Sequence, residues 1–280
     1  MSSTDQASPR ENVFGVDFSG AARAGEKIWI AHGRRTTSNV EIDECRRAAA
    51  LVDSSPALIE ALAALRRLIQ SVPTAIFGFD FPFGLPEAVC RTQNWEAEVL
   101  SHHLAYPTAE DFRRDCLRRA GGRELQRLTD REARTPFSSY NLRLYRQTDA
   151  GLRHLLAPLI AANTVAVAPM QSVRSDRALL IEVCPASTLK RMGIYQRFTG
   201  YKGRSAAAAI KRRAILEILE DSGGIRLSSP VLRTVAEDDA EGDALDSIVA
   251  ALAAARARVE IEGQNTNINP LYRLEGFVYS

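Results

Sequence analysis

Residues 74–80, Thr-Ala-Ile-Phe-Gly-Phe-Asp, lie between Pro73 and Pro82 and are apolar except at their two ends. A strand that is apolar on both faces must be covered on both, which is the pattern of a parallel strand inside an α/β sheet. Just upstream, Leu58, Leu62, Leu65 and Ile69 repeat at spacings of 4, 3 and 4. That is one face of a helix, with Ser55 placed to cap it and Pro56 suited to its first turn. A helix feeding such a strand is a crossover, so the strand joins the sheet parallel to an earlier one.

Three earlier strands are available. Residues 13–17 form a short apolar run ending on Asp17 and followed by the small residues Ser19, Gly20 and Ala21; residues 27–32 centre on Ile28, Trp29 and Ile30. In residues 40–45, Val40 and Ile42 alternate with Glu41 and Asp43. Succession at this spacing predicts an antiparallel meander. Downstream, residues 86–170 read as a helical insertion rich in arginine, and residues 178–184 read as a strand stopped by Pro185. Helices are expected over 205–221, with Gly223 and Gly224 beyond the end, and over 240–259; residues 274–279 read as an edge strand. This order is α/β and ribonuclease H-like: a mixed sheet flanked by helices, with a helical insertion after the fourth strand. The expectation is one such domain over residues 12–280 and a disordered tail over 1–11.

Composition narrows the function classes without choosing one. The 280 residues carry 36 Lys+Arg against 34 Asp+Glu, a formal charge of +2, which excludes a histone-like or wholly acidic protein. Cys45, Cys90, Cys116 and Cys184 are 45, 26 and 68 residues apart, neither a metal-binding pair nor a dense disulfide framework. No run of 18 uninterrupted apolar residues occurs and the N-terminus has no apolar core, so no membrane partner and a cytoplasmic location are expected. The sequence leaves the oligomeric state open, a homodimer included. It lacks GxxxxGK[ST], GxGxxG, HExxH and GxSxG, which argues against P-loop, Rossmann, zincin and α/β-hydrolase chemistry. No histidine is tied to Cys184 by a motif, so a structural thiol is expected there.

The acidic residues carry the chemistry. Asp17 and Asp80 end apolar strands, and Glu182 lies inside a third, between Ile181 and Val183. Buried carboxylates cost several kcal/mol unless a cation or hydrogen bonds compensate them, and the carboxyl ends of strands are where ligands gather in open sheets. Asp243 and Asp246 fall three apart on one face of the last helix, a face that continues with Ala250, Ala253, Ala254 and Ala257 instead of further charge. A helix apolar on both sides is packed on both, so these two aspartates are expected to point into the protein or a cleft. A cluster drawn from two strand ends and one helix suits Mg²⁺ or Mn²⁺, and two such ions support phosphodiester cleavage.

Six segments, in this order, resemble the family catalogued as domain of unknown function 429: Gly15-Val16-Asp17-Phe18-Ser19, Gly78-Phe79-Asp80-Phe81-Pro82-Phe83-Gly84-Leu85-Pro86, Ile181-Glu182-Val183-Cys184-Pro185-Ala186, Tyr201-Lys202-Gly203, Asp243-Ala244-Leu245-Asp246 and Glu275-Gly276-Phe277-Val278-Tyr279. That family is described as predicted nucleases with a ribonuclease H-like fold. The resemblance implies metal ligation by Asp17, Asp80, Asp243 and Asp246, with Asp17 bridging the ions. It also implies a further ligand or an orienting acid in Glu182, and a phosphate contact or charge neutralisation by Lys202. The paired aspartates of the last helix resemble the Holliday-junction resolvase branch more than the bacterial ribonuclease H branch.

Between Arg113 and Arg153 there are eleven arginines and no lysine against five acids, a local balance of +6. One reading is a nucleic-acid groove in which Tyr140 and Tyr145 stack on bases; the other is a solvated helical face. Two rivals to a nuclease stand beside it. An actin-like or sugar-kinase-like phosphotransferase shares the sheet, although such loops usually carry glycine where this chain has Ser19. A non-catalytic nucleic-acid-binding module would keep the fold without turnover.

Overall fold

The computed structural model describes residues 10–263 except 38 and 223, together with residues 268–280. Among the described residues, eight strands form one sheet in the order β5-β6-β4-β1-β2-β3-β7, with β8 beside β6. They are β1 (Asn12–Asp17), β2 (Trp29–Arg35), β3 (Val40–Arg47), β4 (Ile76–Asp80), β5 (Val165–Val167), β6 (Ala178–Val183), β7 (Ile225–Leu227) and β8 (Val278–Tyr279). β2 is antiparallel to β1 and β3, whereas β4, β5, β6, β7 and β8 each run parallel to a neighbour. The meander, the crossover strand and the sequence β3-β2-β1-β4-β6 make the sheet ribonuclease H-like. Two short strands, β5 and β7, have no counterpart in the sequence reading, because three residues are too few to show an alternation.

The helices are α1 (Leu58–Ser71), α2 (Trp95–Ala105), α3 (Ala109–Arg119), α4 (Leu128–Glu132), α5 (Tyr145–Ala150), α6 (Ala157–Ala161), α7 (Pro185–Arg191), α8 (Ala206–Asp221), α9 (Pro230–Asp238), α10 (Asp243–Gly263) and α11 (Pro270–Glu275). Three boundaries differ from expectation. Ser55 does not cap α1; its hydroxyl accepts from the Ala57 amide and the helix begins only at Leu58. The last helix starts at Asp243, after Gly242 turns the chain at φ 76°. Residues 274–279 are the end of α11 followed by a two-residue strand, not a continuous edge strand. Of the expected tail, residues 1–9 lie outside the described residues, as does Gly223. Arg10 is buried and donates to the carbonyls of Ala75, Arg177 and Arg174, so the chain is already tied down there.

Period-two alternation assigns the two faces of the sheet. Val13 of β1, Ile76 of β4 and Leu179 and Ile181 of β6 join the core under α10, while Phe14, Val16, Phe77, Phe79, Ala178 and Leu180 join the core under α1 and residues 152–160. The segment linking α5 to α6 is a π-helical turn, Gly151–Leu156, and it belongs to this second layer. Residues 85–145 build a smaller third cluster around Phe112, Cys116 and Tyr140.

α10 lies unusually close to the sheet. A Cβ at Gly15 would sit 2.1 Å from the Ser247 carbonyl and the Ala251 amide, and one at Gly78 would meet the Ala250 carbonyl and the Ala254 methyl at 3.0 Å. Two glycines on adjacent strands and a stripe of small residues on the helix let the backbones approach. The consequence is positional: the first turn of α10 is held over the carboxyl ends of β1 and β4. Among the described residues no helix is long and apolar enough to cross a membrane.

Candidate metal centre

Residues 13, 15 and 17 alternate onto the α10 side of β1, as do 76, 78 and 80 on β4, so both strands deliver their terminal aspartate to the same face. Asp17 and Asp80 are register partners. Asp243 and Asp246, one helical turn apart, come down onto them from α10. Asp17, Asp243 and Asp246 each offer a carboxylate oxygen such that all three lie within 4.8 Å of one another. Asp17 is 8% and Asp246 3% exposed. Asp80 stands outside that trio but close enough for its charge to act on Asp17.

So much negative charge under little water shifts the acids upward. Burial raises the Asp17 carboxyl well above its ordinary range, with Asp243, Asp246 and Asp80 adding repulsion and Lys202 opposing. Burial likewise pushes Asp80 up to about 7, with Asp246 the largest repulsive neighbour, and raises Asp243. One side chain offsets this. Lys202 Nζ lies 2.6 Å from Asp246 Oδ2 and 3.2 Å from Asp243 Oδ1, and those carboxylates hold its ammonium protonated far above neutrality. Tyr201, beside it in sequence, donates its hydroxyl to Asp246 Oδ1 at 2.7 Å. Nothing in charge or periodicity marks Tyr201 in the sequence; its place in the Tyr201-Lys202-Gly203 segment is the signal available. Three further acids of the run at 237–246 serve the structure. Asp239 caps α10 by accepting from the Asp243 and Ala244 amides, Glu241 pairs with Lys27, and Glu237 pairs with Arg213 and Arg233.

Glu182 is not brought into the trio. Its register partner is Phe79, not Asp80, so it faces the opposite side of the sheet. There Arg127, 1% exposed, clasps it through two hydrogen bonds of 2.7 and 2.5 Å while also binding both oxygens of Asp130. The Phe83 amide donates a further bond to Glu182. This cluster fixes the helical segment against β6 at the edge of the same cleft.

The arginine-rich segment is largely neutralised from within. Arg113, Arg114, Arg118, Arg119, Arg127, Arg146 and Arg153 pair with carboxylates, some of them from Glu110 and Asp111 just upstream of Arg113. Tyr140 is fully buried, with its hydroxyl bonded to the Leu125 amide and the Arg123 carbonyl, and Tyr145 is 7% exposed. Stacking of bases on these two rings is therefore ruled out: they fill the third cluster instead. Of the eleven arginines only Arg127 and Arg143 line the cleft of about 790 Å³ that contains Asp17, Asp80, Asp243 and Asp246.

The acids fit a hard divalent cation, since the donors are all carboxylate oxygens converging at a burial that makes their ionised forms costly without one. Hydrogen bonds and a single ammonium leave part of that charge uncompensated.

No curated protein matches this chain by sequence. Among solved structures it is similar to the yeast mitochondrial Holliday junction resolvase Ydc2, at 11% identity and a TM-score of 0.40, over 96% of this chain and 86% of that one. Residues 42–267 match the family described as protein of unknown function DUF429, a span that holds Asp80, Glu182, Lys202, Asp243 and Asp246 and begins after Asp17, and the chain belongs to that family.

Proposed function

We propose that the protein is a hydrolase that cleaves phosphodiester bonds of nucleic acid with Mg²⁺ or Mn²⁺, using water as the nucleophile. The observation that carries the reading is the approach of Asp17, Asp243 and Asp246 oxygens to within 4.8 Å at the ends of two strands and a helix. Asp17, Asp80, Asp243 and Asp246 would hold the ions. Ions held there would supply an acidified water and stabilise the leaving oxygen.

The chain's own groups do the rest. Tyr201 fixes one oxygen of Asp246, so that the other points toward Lys202 and the cleft. Lys202, with its side chain 48% exposed, is free to leave the carboxylates and meet a phosphate oxygen as negative charge develops. The positive end of the α10 dipole faces the same point and favours anionic groups there. Glu182 holds Arg127 and through it the far wall of the cleft, so its contribution is to position and not to ligate. In this reading residues 12–280 act as one ribonuclease H-like domain, with the helical segment 86–170 forming that wall. A cytoplasmic location accords with four free thiols, which burial keeps protonated; Cys45, Cys90 and Cys184 are each pushed up to about 12.

Calorimetric titration with Mn²⁺ and a cleavage assay on labelled DNA and RNA test the proposal. Saturable Mn²⁺ binding with metal-dependent cleavage is expected. Absence of both removes it.

A further inference from the structure

The acids lie at the floor of a cleft with two walls. One is the segment that carries Pro136, Phe137, Arg143 and Leu144; the other carries Tyr195 and Lys202. Each wall presents a half-buried aromatic ring, Phe137 on one and Tyr195 on the other; Arg143 lies 5.2 Å from the centre of Phe137, while the cation on Tyr195, Lys190 at 5.1 Å, is outside the cleft lining and donates to the Arg134 carbonyl. Arg143 is exposed and, among the described residues, has no carboxylate partner, unlike most arginines of its segment. The cleft's volume, about 790 Å³, is that of a site enclosing a drug-sized ligand. Asp17 and Asp246, 8% and 3% exposed, lie at the floor of this cleft, so a strand has to enter it for a phosphate to come over them.

We infer that the cleft takes a single strand of nucleic acid, bases against Phe137 and Tyr195 and a phosphate against Arg143, in preference to an intact duplex. Aromatic rings stack on any base, and a guanidinium beside the ring meets the backbone in two-pronged fashion. The inference takes nucleic acid from the function proposed above and adds strandedness and the residues that read it. It also moves the stacking role from the buried Tyr140 and Tyr145 to two rings that line the cleft.

The test is equilibrium binding of a short labelled oligonucleotide, followed by fluorescence anisotropy in Ca²⁺ at fixed ionic strength. The single strand is expected to bind at least tenfold more tightly than the same sequence as a duplex. Phe137→Ala should weaken single-strand binding roughly tenfold, as loss of one stacked base does, and Arg143→Ala several-fold. Arg118→Ala removes an exposed arginine paired with Asp115 outside the cleft, and should leave binding unchanged. Arg143→Ala, at an exposed position, carries the comparison if Phe137→Ala fails to fold. Equal binding of duplex and single strand, equal competition by a nucleoside monophosphate, or equal effects of Arg118→Ala and Arg143→Ala each overturn the inference. Mn²⁺-dependent cleavage with binding indifferent to Phe137 and Arg143 would sink this inference alone. Strand-selective binding without any Mn²⁺ uptake would sink only the hydrolase.

Discussion

Asp17 and Asp80 are the last register pair of two parallel strands, so the sheet ends in two carboxylates side by side on one face. Nothing in the packing of β1 and β4 requires charge there, and burial makes it costly for both residues. Asn at position 17 keeps the shape and removes one charge. Asp17→Asn should therefore be more stable than the parent in EDTA, by up to a few kcal/mol, and melt at a higher temperature. It should also lose at least about a hundredfold in Mn²⁺ affinity, the upper end of what a residue merely orienting a ligand costs. Thermal melts and calorimetry measured together decide the matter. An Asp17→Asn protein that takes up Mn²⁺ as the parent does removes Asp17 from the ligand set.

The protonation of Asp80 gives the metal-free protein an inverted pH response. Its carboxyl is pushed up to about 7 from the usual 3.8. Between about pH 4 and 7 the folded chain therefore holds a proton that the unfolded chain has released, and stability falls as pH rises through that window. The full shift is worth about 4 kcal/mol, which the partial exposure of Asp80 reduces to roughly half. Urea unfolding in EDTA should accordingly show greater stability at pH 5 than at pH 8. Saturating Mn²⁺ should abolish the difference, since an ion held there takes the deprotonated acids, and Mn²⁺ affinity should climb with pH across that window. A metal-free protein that gains stability from pH 5 to 8 contradicts this account.

Lys202 competes with any ion for Asp246 and Asp243, its ammonium lying 2.6 and 3.2 Å from them. Its removal should therefore separate binding from turnover. Lys202→Ala is expected to bind Mn²⁺ several-fold more tightly, because one repelling charge is gone. It should cleave about a hundredfold more slowly, because a positioned cation no longer meets the developing charge. Stability in EDTA should drop by about 1 kcal/mol at pH 8, a small figure because the side chain is nearly half exposed. Calorimetry against single-turnover rates makes the comparison; parallel losses of affinity and rate would place Lys202 among the groups that build the site.

The sheet was legible because its strands are long enough to show their periods: residues 74–80 announce a doubly covered strand, and residues 40–45 a half-exposed one. Asp17 and Asp80 were legible as acids at the ends of apolar runs. What hid Glu182 was parity. It lies deep in an apolar strand like the others, yet only the register, which pairs it with Phe79, shows that it faces away from Asp80. The arginine segment misled for a related reason: a charge count cannot see that Arg118 and Arg119 share Asp115 across one turn of α3. It cannot see either that Arg127 is swallowed whole. Tyr140 and Tyr145 looked like stacking platforms because an aromatic in a polar stretch carries no mark of the small core it fills.

Arg127 supplies the last prediction. Its guanidinium binds both oxygens of Glu182, both of Asp130 and the Glu275 carbonyl, at 1% exposure. The backbone amide of the next residue, Leu128, donates to the Glu275 carboxylate at 2.7 Å. One side chain thus joins the helical segment, β6 and α11. A methionine at 127 has comparable reach and no charge, so Arg127→Met leaves two buried carboxylates facing each other without a cation. That arrangement costs about 3–5 kcal/mol. Adding Glu182→Gln removes one of the stranded charges, and the double variant should recover part of the loss. If Glu182 only positions Arg127, Glu182→Gln alone should weaken Mn²⁺ binding far less than Asp17→Asn does. Urea unfolding of the two single variants and the double variant gives the coupling energy, and Mn²⁺ calorimetry on the same three separates support from ligation. A Glu182→Gln protein whose Mn²⁺ affinity falls as far as that of Asp17→Asn would make Glu182 a ligand after all.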